Sequence, residues 1–260
     1  MSEPRILIED VADGVRRITL NRPEKRNAID NALRGELLAA LQQADGDDGV
    51  RVSILRGAGK CFSSGYDLKS DLNSDQPYFS PKVGMPWARH VSEGWMSIWN
   101  LAKPVVAQVH GYAMAGGLEL VGACDLASGA KEARFFHPVT RLSGLPDFPW
   151  FPAKMEPRHA MELLLTGREY NGDEAADVGL INQAFPEAEL EARVLEIAER
   201  MAGSSAAVLS VQKRYVHAAM EARGAQALIR TGADLSAGPH MQALMGSGGE
   251  EILNKVKSGD

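Results

Sequence analysis

Apolar and polar positions along this chain follow two periods, and the switches between them predict its elements. Short β-rich runs stand at Ile6–Glu9, Val15–Leu20, Val52–Leu55, Val105–Val109, Asp125–Ala127, Arg134–Phe136 and Leu180–Ala184. Between them, apolar residues recur at helical spacing in Asn27–Ala44, Val91–Leu101, Leu118–Ala123, Arg158–Thr166, Gly172–Asp177 and Leu190–Ala202. Strands alternating with helices predict an α/β architecture, and periodicity alone favours a doubly wound sheet. From about Ser204 onward the pattern is helical only, through Val208–Met220, Ala225–Leu235 and Glu250–Lys257. The chain thus divides into a core, residues 1–203, and a C-terminal helical region, residues 204–260. Asp71–Met85, rich in Asn, Ser, Asp and Pro, predicts a loop.

The stretch His110–Ala127 carries the first chemical signal. Val105–Val109 reads as a buried strand, Gly116 and Gly117 as a turn, and the apolar run behind them as a helix holding one carboxylate, Glu119. A helix start leaves backbone N–H groups free, which suits a negatively charged oxygen. By themselves these residues equally describe a tight turn and an acid favoured by the helix dipole.

Composition narrows the classes. A hydrophobic share of 45% and a charged share of 24% are those of a globular protein, and 260 residues suffice for one large domain or a domain with an appendage. The net charge of −6 argues against a nucleic-acid surface, though a local Lys/Arg cluster can still hold an anion. Cys61 and Cys124 lie inside apolar motifs and are expected to be reduced and buried, which points to a cytoplasmic setting. The opening MSEPRILIED has charges where a signal peptide needs an apolar run. No run of about 18 apolar residues predicts a transmembrane helix, so no membrane partner is expected. The histidines show no metal-like spacing, and no Walker-type loop or dinucleotide fingerprint is present. Neither a metal nor a redox cofactor is expected.

Three segments then act together: Asn21–Ala28 (NRPEKRNA), Gly57–Lys69 (GAGKCFSSGYDLK) and Gly116–Leu120 (GGLEL). In this order and spacing they resemble the enoyl-CoA hydratase/isomerase family, or crotonase superfamily, over roughly residues 5 to 235. The resemblance implies a spiral of ββα units in place of a doubly wound sheet. It implies a C-terminal helical oligomerisation region that packs on the core and builds a homotrimer, with trimers pairing into homohexamers. It also implies an acyl-CoA substrate, with coenzyme A entering as part of that substrate. The amides of Tyr66 and Gly116 would form an oxyanion hole for a thioester enolate, and Glu119 would be the acid/base. Lys25, Arg26 and Ala28 match the segment that contacts the nucleotide portion. Asp67, Leu68 and Lys69 match the segment that passes along adenine and pantetheine. Alone, Lys25 and Arg26 read as a solvated loop.

Two departures bear on the reaction. Position 66 is usually small in the family, and two placements of the Tyr66 ring stay open, one toward the ligand and one into packing. A hydratase of this family also uses a second glutamate, in a Pro-Glu pair. Here the pair is Pro138-Val139, and valine cannot transfer a proton. Asp147, directly after Pro146, stands where some members place a catalytic aspartate, and it would pair with Glu119 across the acyl chain. Paired carboxylates can divide acid and base roles when burial raises one pKa. Asp147 fits equally as a cap of the Phe148–Trp150 turn or of the next helix. His137 and Arg141 are nearer in sequence, but His137 reads chiefly as a strand-end residue. Met85, Trp87 and His90 are secondary candidates for an acyl pocket. Three functions follow: a lyase or isomerase of unsaturated acyl-CoA, a hydrolase or carbon–carbon bond-cleaving member using Asp147, and a non-catalytic acyl-CoA binder. Glu119 with both oxyanion segments favours an enzyme.

Overall fold

The computed structural model describes residues 4–67, 87–138 and 145–245. The loop expected at Asp71–Met85, the helix expected at Glu250–Lys257, and Leu68, Lys69, Val139 and Arg141 lie outside the described residues, as does the side chain of Trp87.

Asp13 and Gly14 close a two-residue hairpin between β1 (Ile6–Ala12) and β2 (Val15–Leu20), with Gly14 at φ 72° as such a turn requires. Beside β2 lie β3 (Val52–Gly57), β4 (Val105–Val109), β6 (Leu126–Ala130) and β8 (Gln183–Phe185), all parallel, in the order β1-β2-β3-β4-β6-β8. The order never reverses. A doubly wound sheet reverses at its switch point, so the arrangement that periodicity alone favoured is not the one adopted.

The reason lies in a second, shorter layer of extended chain. β5 (Tyr112–Met114) pairs in parallel with β7 (Arg134–Phe136). Single bridges prolong this layer through Ile29–Tyr66, Ser63–Ala113 and Phe135–Tyr170. Each circuit therefore runs through a strand of the large sheet and a short strand of the second layer before its helix, which is the ββα spiral. β5, three residues long, escapes any reading of periodicity.

The helices are α1 (Asn31–Gly46), α2 (Trp87–Trp99), α3 (Gly116–Ala123), α4 (Phe151–Lys154), α5 (Pro157–Thr166), α6 (Gly172–Asp177), α7 (Glu187–Ala202), α8 (Ala206–Glu221) and α9 (Ala225–Met245). α1 starts four residues later than expected. Arg26 and Asn27 have φ of 55° and 53°, which no helix accepts, and Asp30 then caps the helix by accepting from the Leu33 N–H at 2.7 Å. α9 lies on α2 through Arg89–Asp234 at 3.0 Å and Arg230–Glu93 at 2.9 Å. Leu33, Leu55, Trp95, Val106, Leu118 and Phe135 belong to one continuous core. Each such side chain stabilises the fold by about 1.5–3 kcal/mol. Cys61 and Cys124 are buried and free, as expected. No described helix is long and apolar enough to cross a membrane.

Candidate active site

The three sequence motifs meet through a few side chains. Asn27 accepts from the Arg22 N–H at 3.0 Å and donates to the carbonyls of Ala58 and Cys61 at 2.8 and 2.9 Å. Ser63 Oγ donates to the Asn27 carbonyl at 2.8 Å and accepts from the Gly65 N–H at 3.1 Å. The first motif is thereby fastened to the second. The Ile29 N–H donates to Gly65 O at 2.7 Å, and the Asp67 N–H donates to Ile29 O at 2.9 Å. The residues bracketing Tyr66 thus face Ile29, and a parallel bridge turns the N–H of Tyr66 itself to the opposite side. That side belongs to β5 and the start of α3.

Contact there is so close that only glycine fits. A Cβ at Gly116 would lie 2.6 Å from Tyr66 Cε2, and one at Gly117 would lie 2.6 Å from Ser63 O. A Cβ on Gly65 would stand 3.0 Å from the Gly116 nitrogen. The turn into α3 is strained: Ala115 has φ 49° and ψ −122°, outside the regions a side chain ordinarily allows. Gly116 is the first helical residue, so its N–H has no acceptor within the helix.

Glu119 follows in the first turn of α3 and is 1% exposed. Tyr66 Oη donates to its Oε2 at 2.5 Å. Its Oε1 accepts from the Asp147 N–H at 3.0 Å and lies 3.0 Å from His137 Nε2. A carboxylate only accepts, so His137 carries a proton on Nε2. His137 Nδ1 is buried with no partner among the described residues, and the ring stands edge-on to Phe151. His137 is a strand-end residue, as expected, and it nevertheless faces the site. β7 stops at Phe136, and the next residue turns its ring inward onto Glu119.

Tyr66 also accepts from Trp95 Nε1 at 3.0 Å. Of the two placements left open by the sequence, the ring takes the one against Gly116 and Glu119. Burial pushes the phenol well above its usual pKa, and the charges of Glu119 and Asp147 push it further.

Asp147 is buried beside Glu119. Its N–H binds Glu119, its carbonyl accepts from Ser92 Oγ at 2.5 Å, and its carboxylate meets Ser236 Oγ of α9 at 3.4 Å. It does not cap α4, whose N-cap position is Trp150. Nearby, Arg34 of α1 donates through Nη2 to Nε2 of His90 on α2. Burial brings Arg34 down to about 10, opposed by Tyr66 and Asp147. Burial, and then Arg34, brings His90 down to about 4, so it is neutral at pH 7 and keeps its proton on Nδ1. Arg34, Ser92 and Ser236 gave no signal in the sequence. They reach the site from three different helices, and only the packing of those helices identifies them.

The residues matched to nucleotide contact lie at the rim. Lys25 and Arg26 are exposed on a 3-10 turn, Pro23–Lys25, and Ala28 is buried beneath them. The Asp67 carboxylate faces inward, pairing with Arg22 at 3.0 Å and Lys25 at 3.5 Å. It holds the loop in shape.

The assembled geometry is a helix start and a glycine-flanked turn at one place, with a buried carboxylate one helical turn away. Such a site can hold a developing oxyanion and move a proton beside it. The model of the family described as enoyl-CoA hydratase/isomerase matches residues 10–243, and the chain belongs to that family. It is 33% identical to a putative enoyl-CoA hydratase, EchA13, of Mycobacterium tuberculosis, over 86% of this chain and 77% of that protein. It is 30% identical to hydroxycinnamoyl-CoA hydratase-lyase of Pseudomonas fluorescens, over 78% of this chain and 75% of that one. The crystal structure of a probable enoyl-CoA hydratase from Mycobacterium thermoresistibile superposes with a TM-score of 0.83 at 33% identity, covering 92% of this chain and 98% of the other. A monofunctional enoyl CoA isomerase from M. smegmatis superposes at 0.69 with 30% identity, over 84% and 94%. The crotonase fold inferred from the three motifs is thus the fold of the chain.

Proposed function

We propose that this protein is a lyase or isomerase of unsaturated acyl-CoA thioesters. The thioester oxygen sits on the amides of Tyr66 and Gly116, and Glu119 moves the proton. The observation that carries this reading is the Glu119 carboxylate, buried in the first turn of α3 where that helix meets Gly65–Tyr66. Enolate formation puts negative charge on the thioester oxygen. One pre-aimed donor at such an oxygen is worth about 2.7–4 kcal/mol of barrier. The names of the relatives support a thioester substrate. Lys25 and Arg26 supply positive charge for the phosphates of coenzyme A, with Ala28, Asp67, Leu68 and Lys69 along the same path. Asp147 assists by holding Glu119 through its N–H. The reading requires no metal and no cofactor beyond the coenzyme A of the substrate.

Self-association as a homotrimer or homohexamer belongs to the same reading. Val208, Val211 and Tyr215 stand exposed at i, i+3 and i+7 on α8, an apolar stripe on the C-terminal helical region, residues 204–260. Tyr215→Glu should lower the mass measured by light scattering to that of a monomer. An unchanged mass removes this face from the assembly.

The activity is tested with a panel of 2-enoyl-CoA thioesters of increasing length, following loss of the conjugated absorbance and exchange of C2 hydrogen with solvent. Turnover that Glu119→Gln abolishes supports the reading. Thioester cleavage, abolished by Asp147→Asn and not by Glu119→Gln, replaces it with the hydrolase. Binding without turnover replaces it with a carrier of acyl-CoA.

A further inference from the structure

We propose that Tyr66 is the second proton-transfer group of this site, a phenol acting where valine stands in place of a second glutamate. The inference rests on the reading of Glu119 given above.

Several features of the sequence and structure converge on the phenol. Its oxygen accepts from Trp95 Nε1, which can only donate, so its single proton points along the 2.5 Å contact to Glu119 Oε2. Its ring lies against Gly116, with Cε2 and Cζ at 2.6 and 2.7 Å from where a Cβ would stand. The hydroxyl therefore bridges the space between the oxyanion turn and the base, where C2 of a thioester held by its oxygen would lie. Position 139, where a second glutamate would stand, is valine. His137 touches Glu119 on the other oxygen, Oε1, which leaves the Oε2 side to the phenol. Burial keeps the phenol protonated at neutral pH, the state a proton donor needs.

A closed circuit follows for hydration. Glu119 takes a proton from water as the water oxygen bonds to C3, and the C2–C3 π pair moves onto the thioester oxygen as an enolate. The enolate pair then returns to C2, which takes the proton of Tyr66 Oη and leaves a phenolate braced by Trp95. Protonated Glu119 returns its proton to the phenolate through their hydrogen bond. Water has supplied the C3 hydroxyl and, by relay, the C2 hydrogen, and both side chains are restored.

Tyr66→Phe tests this, because it keeps the ring against Gly116 and removes only the hydroxyl. We expect kcat to fall about 100-fold or more with KM within about threefold, the size of effect general-acid groups produce. Incorporation of solvent deuterium at C2 should fall with it, and the alkaline limb of the kcat–pH profile should vanish. Trp95→Phe is the second variant. It leaves the phenol in place and removes the donor that steadies the phenolate, so kcat should fall about tenfold and the alkaline limb should move up. An unchanged kcat and pH profile in Tyr66→Phe overturns the proposal, and the same result in Trp95→Phe does so if Tyr66→Phe does not fold. If Glu119→Gln is nonetheless dead, the reading of Glu119 stands and the tyrosine alone falls. If the wild type neither turns over nor exchanges any thioester, both fall together.

Discussion

A buried carboxylate and a partly buried one sit at the two ends of α3, and their company differs. Glu119, in the first turn, is held by a phenol, an imidazole and a backbone N–H, and among the described residues it pairs with no lysine or arginine. Asp125, two residues past the last turn, accepts from the Val105 N–H at 2.8 Å and pairs with Lys213 at 2.9 Å, with His217 at 3.5 Å. Lys213 also donates to the carbonyls of Ile98 and Lys103 at 3.1 and 3.2 Å, so Asp125 fastens α8 to the sheet. Lys154 completes that end by donating to the carbonyls of Gly122 and Cys124 at 2.8 and 2.9 Å. A cation at the end of a helix opposes its dipole, as an acid does at the start. A carboxylate matched to a fixed cation is a fastener. One surrounded by hydrogen-bond donors keeps a charge it can exchange for a proton. The comparison teaches that burial alone marks neither role, and that the partner decides.

The contrast can be broken experimentally, and the largest effect expected is at Glu119. Glu119→Gln should lower turnover by more than about 10³-fold while circular dichroism still reports the fold. Unfolding instead would make Glu119 a fastener too. Next comes Lys213→Met, which strands Asp125 in the interior. It should cost about 3–5 kcal/mol. That is a fall in Tm of roughly 10 °C or more, with near-normal turnover in the folded protein. A large loss of turnover without a loss of Tm would tie this end of the helix to the chemistry. The smallest effect is a pH dependence. Burial brings Lys154 down to about 8 from its ordinary 10.5. Below pH 8 the amine is protonated in both folded and unfolded chains, and folding bears the whole cost of burying it. Between pH 8 and 10.5 the unfolded chain binds more protons, so this contribution grows more favourable as pH rises. Lys154→Met should remove that rise, about 2.5 kcal/mol between pH 7 and pH 10, as read from Tm at the two pH values. An identical pH slope in both proteins would mean that the amine is not desolvated.

How much of this was legible depended on whether a feature is local. The strands Val15–Leu20 and Val105–Val109 and the helix Gly172–Asp177 can be read off neighbouring residues, because side-chain period acts over a few positions. The start of α1 was misplaced because the positive φ of Arg26 and Asn27 comes from the contacts of Asn27 with residues 58, 61 and 63, far along the chain. Glu119 was legible because Gly116 and Gly117 announce the close approach beside it. His137 was discounted as a strand-end residue, because nothing local to Arg134–Phe136 says that the next side chain turns onto Glu119. Ser92 and Ser236 were invisible as site residues, since nothing along α2 or α9 says which face meets Asp147.

The sequence by itself determined the alternation of strands and helices, the three motifs that mark the family, the glycines at the start of α3, and the lack of a carboxylate at Val139. Each is written in residue type and short-range spacing. Through the family they mark, the motifs also implied the ββα spiral, whereas only the tertiary structure decided that the Tyr66 ring turns onto Glu119. It alone decided that Glu119 and Asp125, two acids six residues apart, take opposite roles. Those outcomes depend on which distant side chains share a buried volume, and a buried charge takes its properties from the partners packing brings within about 3 Å.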